Sequence, residues 1–331
     1  MVTSHDVARL AGVSQPTVSR ALRDSPKVSA QTRRRVRDAA TALGYVPSET
    51  GRALSVGRTQ RVGLLLTDLQ NQFYPHVIAP MHHELEALGY QLVLQTESSD
   101  TGRVAERLVA NSLDGVLLAT TTKDSLLPVR LHDRRVPFVY FNRTAETVEA
   151  DSAEVEVQSG MRQLAEKILD LGHRRVAAIF GPRNTSTGEQ RETVLREHLA
   201  AAGVGVPAEL THRGPFDFAT GAVGARRLLQ VEPAPTVLVC GNDVVAYGAL
   251  NAARELGLRV PEDVSVVGFD DLPEAGWPLL RLTTVAFDLD AMARRAASLL
   301  VSRIEEGSGG GFRHEHFPSR LVERDTLGPA R

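Results

Sequence analysis

The chain is poor in cysteine, lysine and aromatic residues. Its 331 residues include one cysteine, three lysines and 5% aromatic residues. A single thiol forms no intramolecular disulfide and supplies too few ligands for a cysteine-based metal site. Cys240 ends an apolar run, 236–240, which predicts a buried strand rather than a redox centre. No metal or other cofactor is predicted.

Long hydrophobic runs are also missing. No stretch approaches the ~18 apolar residues of a membrane span, and the basic amino terminus lacks the apolar core of a secretion signal. We therefore expect a cytoplasmic protein without a membrane partner. With 42% hydrophobic and 24% charged residues, the composition is typical of a globular protein. A chain of 331 residues predicts more than one domain.

Charge is distributed unevenly between the two ends of the chain. Residues 1–60 contain ten Lys/Arg and four Asp/Glu, whereas the remainder contains 28 and 36. A basic amino-terminal segment on an acidic remainder is expected of a protein that grips phosphates with one end only. The asymmetry therefore predicts a nucleic-acid-binding amino terminus.

Residues 3–22 have the pattern of two short helices joined by a tight turn. Thr3 is placed to cap the first helix, Gly12 to form the bend, and Ser14 to begin the second helix. Any small αα-hairpin could show this spacing, but the local positive charge favours DNA binding. We predict a helix-turn-helix, whose second helix lies in the major groove.

The rest of the chain alternates between strand and helix patterns. A third helix is predicted between Ser29 and Gly44, and continuous apolar runs begin after residue 60. The predicted strands are 62–67, 91–96, 115–119, 137–141, 176–181, 236–240 and 264–269. The predicted helices are 74–88, 101–111, 159–171, 187–202, 218–230 and 243–256. This alternation predicts doubly wound α/β structure with mostly parallel sheets.

Two other protein classes fit parts of the sequence. An exported sugar-binding protein would match the α/β region alone, but the basic amino-terminal motif argues against it. An enzyme is not predicted, because the histidines are scattered and no nucleophile motif appears. The segment 181–188 loosely resembles a phosphate-binding loop but lacks the Gly-Lys-Ser/Thr ending.

Several longer strings resemble the lactose-repressor (LacI/GalR) family over nearly the full length. They are 6–8, 11–14, 17–20, 28–33, 43–47, 58–65, 172–176, 257–271 and 282–285. The resemblance implies an all-α helix-turn-helix headpiece and two doubly wound α/β subdomains of the periplasmic-binding-protein (type I) kind. We expect the headpiece at 1–47, a hinge helix and linker at 48–60, and an effector-binding and dimerisation domain at 61–331.

The same resemblance implies that the chain crosses three times between the two subdomains. The crossings are expected near Val157, Val285 and Gly309. The amino-terminal subdomain would then comprise 61–157 and 286–308, and the carboxy-terminal subdomain 158–285 and 309–331.

The resemblance also implies DNA-contacting residues. Arg20 matches the family's base-reading arginine, Gln15 lies beside it, and Pro16 offers apolar contact at a specificity position. Ser19 lies on the same helix and is included among the expected contacts. Phosphate contacts are expected from Thr3, Ser14, Thr17, Ser29, Thr32 and Tyr45. In the hinge segment 48–54, Arg52 is expected at the DNA and Leu54 to wedge into the minor groove.

Ligand contacts are implied on both sides of a cleft between the subdomains. The expected residues are Asn71, Phe73, Tyr74, Asn142, Arg191, Phe216, Asn242, Asp270 and Phe287. A carboxylate, amides and an arginine beside an aromatic face suit a sugar or a sugar acid. The chain departs from the family pattern at 156–157, at Pro215 and at Phe287, which makes one side of the pocket less polar.

Taken with the resemblance, the sequence predicts a DNA-binding transcriptional regulator, expected to be a repressor, whose operator affinity is controlled by this small molecule. Its expected partners are double-stranded operator DNA and a second copy of the chain. No leucine heptad follows Thr326, which favours a homodimer over a coiled-coil tetramer. Control by a partner protein, or by a non-sugar corepressor such as a nucleobase, remains an alternative.

Overall fold

The computed structural model describes residues 2–22, 24–45, 58–96, 113–307 and 310–331. The chain divides into one unit at 1–59 and a second at 60–331. Among the described residues, no helix is long and apolar enough to cross a membrane. The expected helix 101–111 and the hinge segment 48–54 lie outside the described residues.

The described residues of the first unit form three short helices. They are α1 (Ser4–Ala11), α2 (Gln15–Leu22) and α3 (Ala30–Ala42). Val7, Val18 and Val36, one from each helix, are fully buried in their shared core. Gly12 ends α1 with a left-handed φ of 63°, a conformation that glycine adopts without strain. The predicted helix-turn-helix with a third supporting helix is confirmed.

Arginines of α3 stabilise the turns of this unit. Arg35 Nη2 donates to the Ala11 carbonyl at 2.7 Å, at the carboxyl end of α1. Arg33 Nη1 donates to the carbonyls of Asp24 and Ser25, and Arg37 forms a 2.6 Å ion pair with Asp24. Cations at helix carboxyl ends interact favourably with the unpaired carbonyls and the helix dipole. These arginines therefore have structural roles beyond their positive charge.

The described residues of the second unit form two six-stranded sheets. The first has the order β11-β5-β4-β3-β1-β2 and the second β12-β10-β9-β8-β6-β7. The strands are β1 (Arg61–Leu66), β2 (Gln91–Thr96), β3 (Gly115–Leu118), β4 (Phe138–Phe141), β5 (Ser152–Glu156), β6 (Val176–Phe180), β7 (Thr211–Arg213), β8 (Val237–Cys240), β9 (Ser265–Asp270), β10 (Thr283–Ala286), β11 (His314–Pro318) and β12 (Arg320–Val322). All described pairings are parallel except β10 with β12.

Helices cover both faces of each sheet. They are α4 (Phe73–Ala87), α5 (Leu127–Asp133), α6 (Val157–Asp170), α7 (Ser186–Ala201), α8 (Phe218–Leu228), α9 (Asp243–Glu255) and α10 (Leu289–Glu306). The first sheet packs against α4 and α10 on one face and α5 on the other. The second sheet packs against α6 and α7 on one face and α8 and α9 on the other. The predicted fold class is confirmed.

The chain passes between the two sheets three times. We call the parts built on the first and second sheets the first and second subdomains. The chain leaves the first sheet after β5, returns after β10 and leaves again at Ser319, between β11 and β12. The expected third crossing near Gly309 is therefore wrong. The glycine-rich stretch is a loop, but the chain after it still pairs with β5 in the first sheet.

Five strands were not predicted from the sequence. They are β5, β7, β10, β11 and β12. Three of them are edge strands, and β7, β11 and β12 are partly exposed rather than continuously apolar. A continuous apolar run is typical of a strand buried on both faces, so edge strands give a weaker pattern. Cys240 is buried at the end of β8, as expected.

Candidate functional site

The second helix of the first unit carries the residues expected to read DNA bases. Pro16 and Arg20 are exposed on α2, and Gln15 is half-buried with its Nε2 donating to Ser4 Oγ at 3.3 Å. Of the other α2 residues expected at DNA, Thr17 and Ser19 are half-buried. Ser14, which precedes the helix, is exposed, and its hydroxyl lies 2.8 Å from that of Thr17. The first turns of α2 therefore present polar groups and one long cation together.

The expected phosphate contacts also stabilise helix ends. Thr3 donates through its N–H and its hydroxyl to the Asp6 carboxylate, at 3.0 and 2.7 Å. Ser29 Oγ accepts from the Thr32 N–H at 3.2 Å, and Tyr45 packs half-buried against the helical core. Arg52 and Leu54 lie outside the described residues.

A cavity lies between the two subdomains of the second unit. Eight of the nine expected ligand residues line it: Asn71, Phe73, Tyr74, Asn142, Arg191, Phe216, Asn242 and Asp270. Ala119, Arg143 and Thr187 line it too and were not among the expected contacts. Arg143 directly follows Asn142 after β4, and Thr187 lies one turn before Arg191. Each of these two residues is therefore close in the chain to a residue that was expected at the ligand.

Phe287 does not line this cavity, and the prediction for it is not supported. Its ring packs against Phe269, with the ring centroids 6.1 Å apart, beside the large core cluster. The chain at this point leaves β10 and enters α10, which packs on the first sheet. Phe287 therefore contributes to packing where the subdomains meet.

Arg191 and Asp270 form a buried ion pair in the cavity. Arg191 extends from the second turn of α7, and its Nη2 lies 3.0 Å from Asp270 Oδ1 at the end of β9. Its Nη1 donates to the Gly241 carbonyl at 2.7 Å, and its guanidinium lies 3.7 Å from the Phe269 ring centroid. Burial raises the pKa of Asp270 to about 6, although Arg191 acts in the opposite direction.

Asn242 and Asp243 have structural partners beneath the cavity. Asn242 Oδ1 accepts from the Val245 N–H at 2.9 Å and caps α9. Asp243 is fully buried and accepts from the Thr284 hydroxyl at 2.5 Å and the Leu272 N–H at 2.8 Å. Burial, with Asp270 nearby, raises the pKa of Asp243 well above its usual value.

The Phe216 ring fills much of the cavity. It packs directly on Gly181, where an added Cβ would lie only 2.0 Å from the ring. About 30 Å³ of free space remains among the lining residues, close to the share of one water molecule in the liquid. The cavity is therefore closed, and a sugar-sized molecule needs the subdomains or this ring to move.

Contacts across the cavity hold the two subdomains in this closed arrangement. Asn71 Nδ2 donates to the Phe216 carbonyl at 2.8 Å. The Thr144 N–H donates to Ser186 Oγ at 3.1 Å. Lys123 Nζ lies 2.7 Å from Glu189, and the hydrogen bonds that Lys123 donates to Glu146 and Glu189 raise the pKa of Lys123 to about 12. All of these contacts join residues of the first subdomain to residues of the second, except the one with Glu146.

Three buried polar atoms of the cavity have no hydrogen-bond partner among the residues that the structure describes. They are Asn142 Oδ1, Thr187 Oγ1 and Arg191 Nε. Buried polar groups in folded proteins are nearly always paired, so each such group needs an explanation. An acceptor, a hydroxyl and a cationic donor around one cavity suit a ligand that has several polar groups.

Comparison with known proteins agrees with this architecture. The family model described as "Bacterial regulatory proteins, lacI family" matches residues 3–48, and that for "Periplasmic binding protein-like domain" matches 165–327. The chain is 36% identical over 307 residues to the HTH-type transcriptional regulator CelR of Thermobifida fusca, covering 90% of each chain. It is 32% identical to the repressor PurR of Pectobacterium atrosepticum, covering 100% of this chain and 99% of that one.

Solved structures of transcriptional regulators also align with nearly the full length of this chain. A CelR–cellobiose complex aligns with a TM-score of 0.74 at 32% identity, covering 99% of this chain and 100% of that one. A lac repressor dimer bound to operator and the anti-inducer ONPF aligns with a TM-score of 0.85 at 25% identity, covering 98% of each chain.

A helix-turn-helix unit joined to a two-subdomain α/β unit with a polar cleft defines a ligand-responsive, DNA-binding transcriptional regulator. The chain belongs to the lacI family of bacterial regulatory proteins. Its relatives are transcriptional regulators and repressors rather than enzymes.

Proposed function

We propose that the protein is a repressor that acts on DNA in the cytoplasm and takes a sugar or a sugar acid as its effector in the cleft. The observation that supports this most directly is the lining of the cleft. A carboxylate, an unpaired amide oxygen, an unpaired hydroxyl and an arginine converge beside the Phe216 ring. Such a mixture of donors, acceptors and one apolar face suits a polyhydroxylated ring. The cellobiose complex of CelR supports the same chemistry.

The effector would act by changing the balance between subdomain arrangements. A ligand shifts such a balance only as far as its affinity differs between the two arrangements. Contacts such as Asn71 to Phe216 hold the closed arrangement, and a ligand that replaces or adds to them changes its stability. The same difference in free energy would appear as a change in operator affinity.

A ligand screen tests the effector proposal. Thermal unfolding of the full chain is measured with cellobiose, neutral hexoses, sugar acids and nucleobases, and operator binding is then measured with each stabilising compound. We expect a sugar or sugar acid to raise the midpoint and to change operator affinity. Stabilisation by nucleobases alone, or by nothing in the panel, would contradict the proposal.

Arg20→Ala is expected to weaken operator binding by about 10- to 100-fold. An arginine that reads guanine O6 and N7 contributes ~1–3 kcal/mol of discrimination, and Arg20 is exposed on α2. Fluorescence anisotropy with an operator obtained by in vitro selection measures the change. Arg34→Ala, an exposed arginine on α3, is the control and should cause a smaller loss that is similar for all sequences. Equal losses for the two variants would remove Arg20 from base recognition.

We also propose that the chain forms a homodimer through an apolar surface of the second subdomain. Phe218, Leu250 and Leu279 line a groove of about 580 Å³ beside α8 and α9. Leu279 is 74% exposed and Phe218 45%. Exposed apolar groups clustered around a groove mark an interaction surface. The dimeric lac repressor of the same fold supports a second copy of the chain as the occupant.

Leu279→Asp is therefore expected to convert the dimer into a monomer at micromolar concentration. The new carboxylate would have to lose its hydration at an interface formed by apolar side chains, which is unfavourable. Light scattering during size-exclusion chromatography measures the mass. Leu126→Asp, which places the same change at a 54% exposed leucine of the first subdomain, should leave the dimer intact. A dimeric Leu279→Asp protein would place the interface elsewhere.

A further inference from the structure

Two arginines from opposite subdomains meet at the Phe216 ring. The Arg143 guanidinium carbon lies 5.3 Å from the ring centroid and that of Arg191 lies 5.7 Å from it. Arg143 follows β4 of the first subdomain, whereas Arg191 belongs to α7 of the second. Both side chains line the cavity. Two guanidinium groups, one from each subdomain, therefore lie beside the same aromatic ring.

The positive charge of these arginines is only partly balanced. Arg191 is paired with Asp270 at 3.0 Å, but Arg143 has no ion pair with a carboxylate of the described residues. Among the described residues that line the cavity, Asp270 is the only carboxylate. The described lining therefore brings together two guanidinium groups and one carboxylate.

The amino end of α7 adds to the positive potential. Thr187, in the first turn of this 16-residue helix, is 4% exposed and lines the cavity with its hydroxyl unpaired. The amino end of a helix carries a partial positive charge and favours anions.

We propose that the effector carries an oxyanion, a carboxylate or a phosphate, that binds between Arg143 and Arg191 near the first turn of α7. This inference deepens the proposed function and rests on it. Asn142 Oδ1 and Asp270 remain available as acceptors for hydroxyl groups on the rest of the ligand. Arg143 is thus the residue that distinguishes an acidic ligand from its neutral parent.

The oxyanion would also favour the closed arrangement. Burial lowers the pKa of Arg191, and Arg143 lowers it further by like-charge repulsion. An anion between the two guanidinium groups replaces this repulsion with two charge-assisted contacts, whereas a neutral sugar does not. Bidentate pairing of arginine with carboxylate or phosphate is among the strongest hydrogen-bonded arrangements in proteins. An acidic effector therefore joins the subdomains through side chains that otherwise repel each other.

Matched pairs of ligands test the proposal on the full chain. Calorimetric titration compares glucuronate with glucose, galacturonate with galactose, and glucose 6-phosphate with glucose. We expect one acidic member of a pair to bind at least about tenfold more tightly than its neutral parent. Comparing the affinities of the two uronates with that of glucose 6-phosphate shows whether the site binds a carboxylate or a phosphate. Neutral sugars that bind as tightly as their acids would overturn the inference but leave the sugar-effector proposal standing. No binding by any of these compounds would overturn the inference, whereas the sugar-effector proposal is decided by the wider screen that includes cellobiose.

Arg143→Gln assigns the preference to this side chain. Affinity for the acid should fall about 30-fold or more, as when one partner of a buried charge pair is removed, whereas affinity for the neutral parent should change less than about threefold. Arg143→Lys keeps the charge without the bidentate geometry and should retain part of the preference. The control is Arg183→Gln, an exposed arginine on the loop before α7, which should behave as wild type. A full preference for the acid in Arg143→Gln would overturn the assignment.

Discussion

Arg191→Leu is expected to reduce effector affinity at least 100-fold. Arg191 reaches the cavity with its orientation fixed by Asp270, the Gly241 carbonyl and the Phe269 ring, and its Nε has no partner in the described part of the chain. A donor held in this way needs no reordering when ligand binds, so its loss removes the full contact. Isothermal titration of the full chain with the strongest compound from the ligand screen measures the loss.

The same substitution changes stability in a pH-dependent way. Without Arg191, Asp270 is a buried carboxyl with no cationic partner at 3.0 Å, so its pKa should rise above the present value of about 6. A carboxyl whose pKa is higher in the folded state binds more protons there than in the unfolded state. Stability therefore falls as the pH rises above the unfolded pKa. The variant should lose more stability than wild type between about pH 5 and pH 8.

The double variant Arg191→Leu, Asp270→Asn separates binding from stability. Replacing both members of a buried ion pair is often neutral, whereas removing one leaves a buried charge without a partner. We expect the double variant to recover most of the stability lost near pH 8, as measured by thermal unfolding, but not to recover effector binding. A double variant that binds effector with wild-type affinity would show that Arg191 acts only by supporting the fold.

Much of the cleft could be predicted because its residues follow strands directly. Asn142 comes after β4 and Asp270 ends β9, so a correct strand prediction places each at a carboxyl end. In parallel α/β sheets these ends form the ligand-binding edge. Arg191 and Phe216 were implied only by the family resemblance. Periodicity alone predicts which residues face inward but not which inward residues meet.

Contacts between distant parts of the chain could not be predicted. The resemblance included the string 172–176, but the reason for its histidine appears only in the structure. His173 is buried and bonds to the Thr236 hydroxyl at 2.8 Å and to the Gly328 carbonyl at 2.9 Å. It therefore holds the carboxy-terminal segment against the second subdomain. Neither partner leaves a sign in the local pattern around residue 173.

The misplaced third crossing has a similar cause. The stretch 307–311 is rich in glycine and correctly predicts a loop, but loop composition does not show which sheet the next strand joins. That choice depends on β5, more than 150 residues earlier, whose Ser152 pairs with His314. Nearby, the Asp151 carboxylate accepts from the Arg313 N–H at 2.8 Å and ties this return segment to the first sheet.

Asp151→Ala is accordingly expected to destabilise the second unit by about 3–5 kcal/mol, because removing one partner of a buried ion pair leaves the other charge uncompensated. The side chain of Asp151 is 0% exposed, and Arg303 donates to it through Nε at 2.9 Å and Nη2 at 2.7 Å.

Although burial acts in the opposite direction, hydrogen bonds from Arg303 and Arg313 hold the pKa of Asp151 below its usual value. A depressed carboxyl pKa contributes stability at neutral pH that is lost as the pH falls through the carboxyl range. The difference between wild type and variant in urea unfolding should therefore be largest near pH 7 and shrink below about pH 4. Asp133→Ala, at an exposed carboxylate ending α5, should unfold as wild type does. If Asp151→Ala were as stable as that control in urea unfolding at neutral pH, Asp151 would not be needed to hold the return segment against the first sheet.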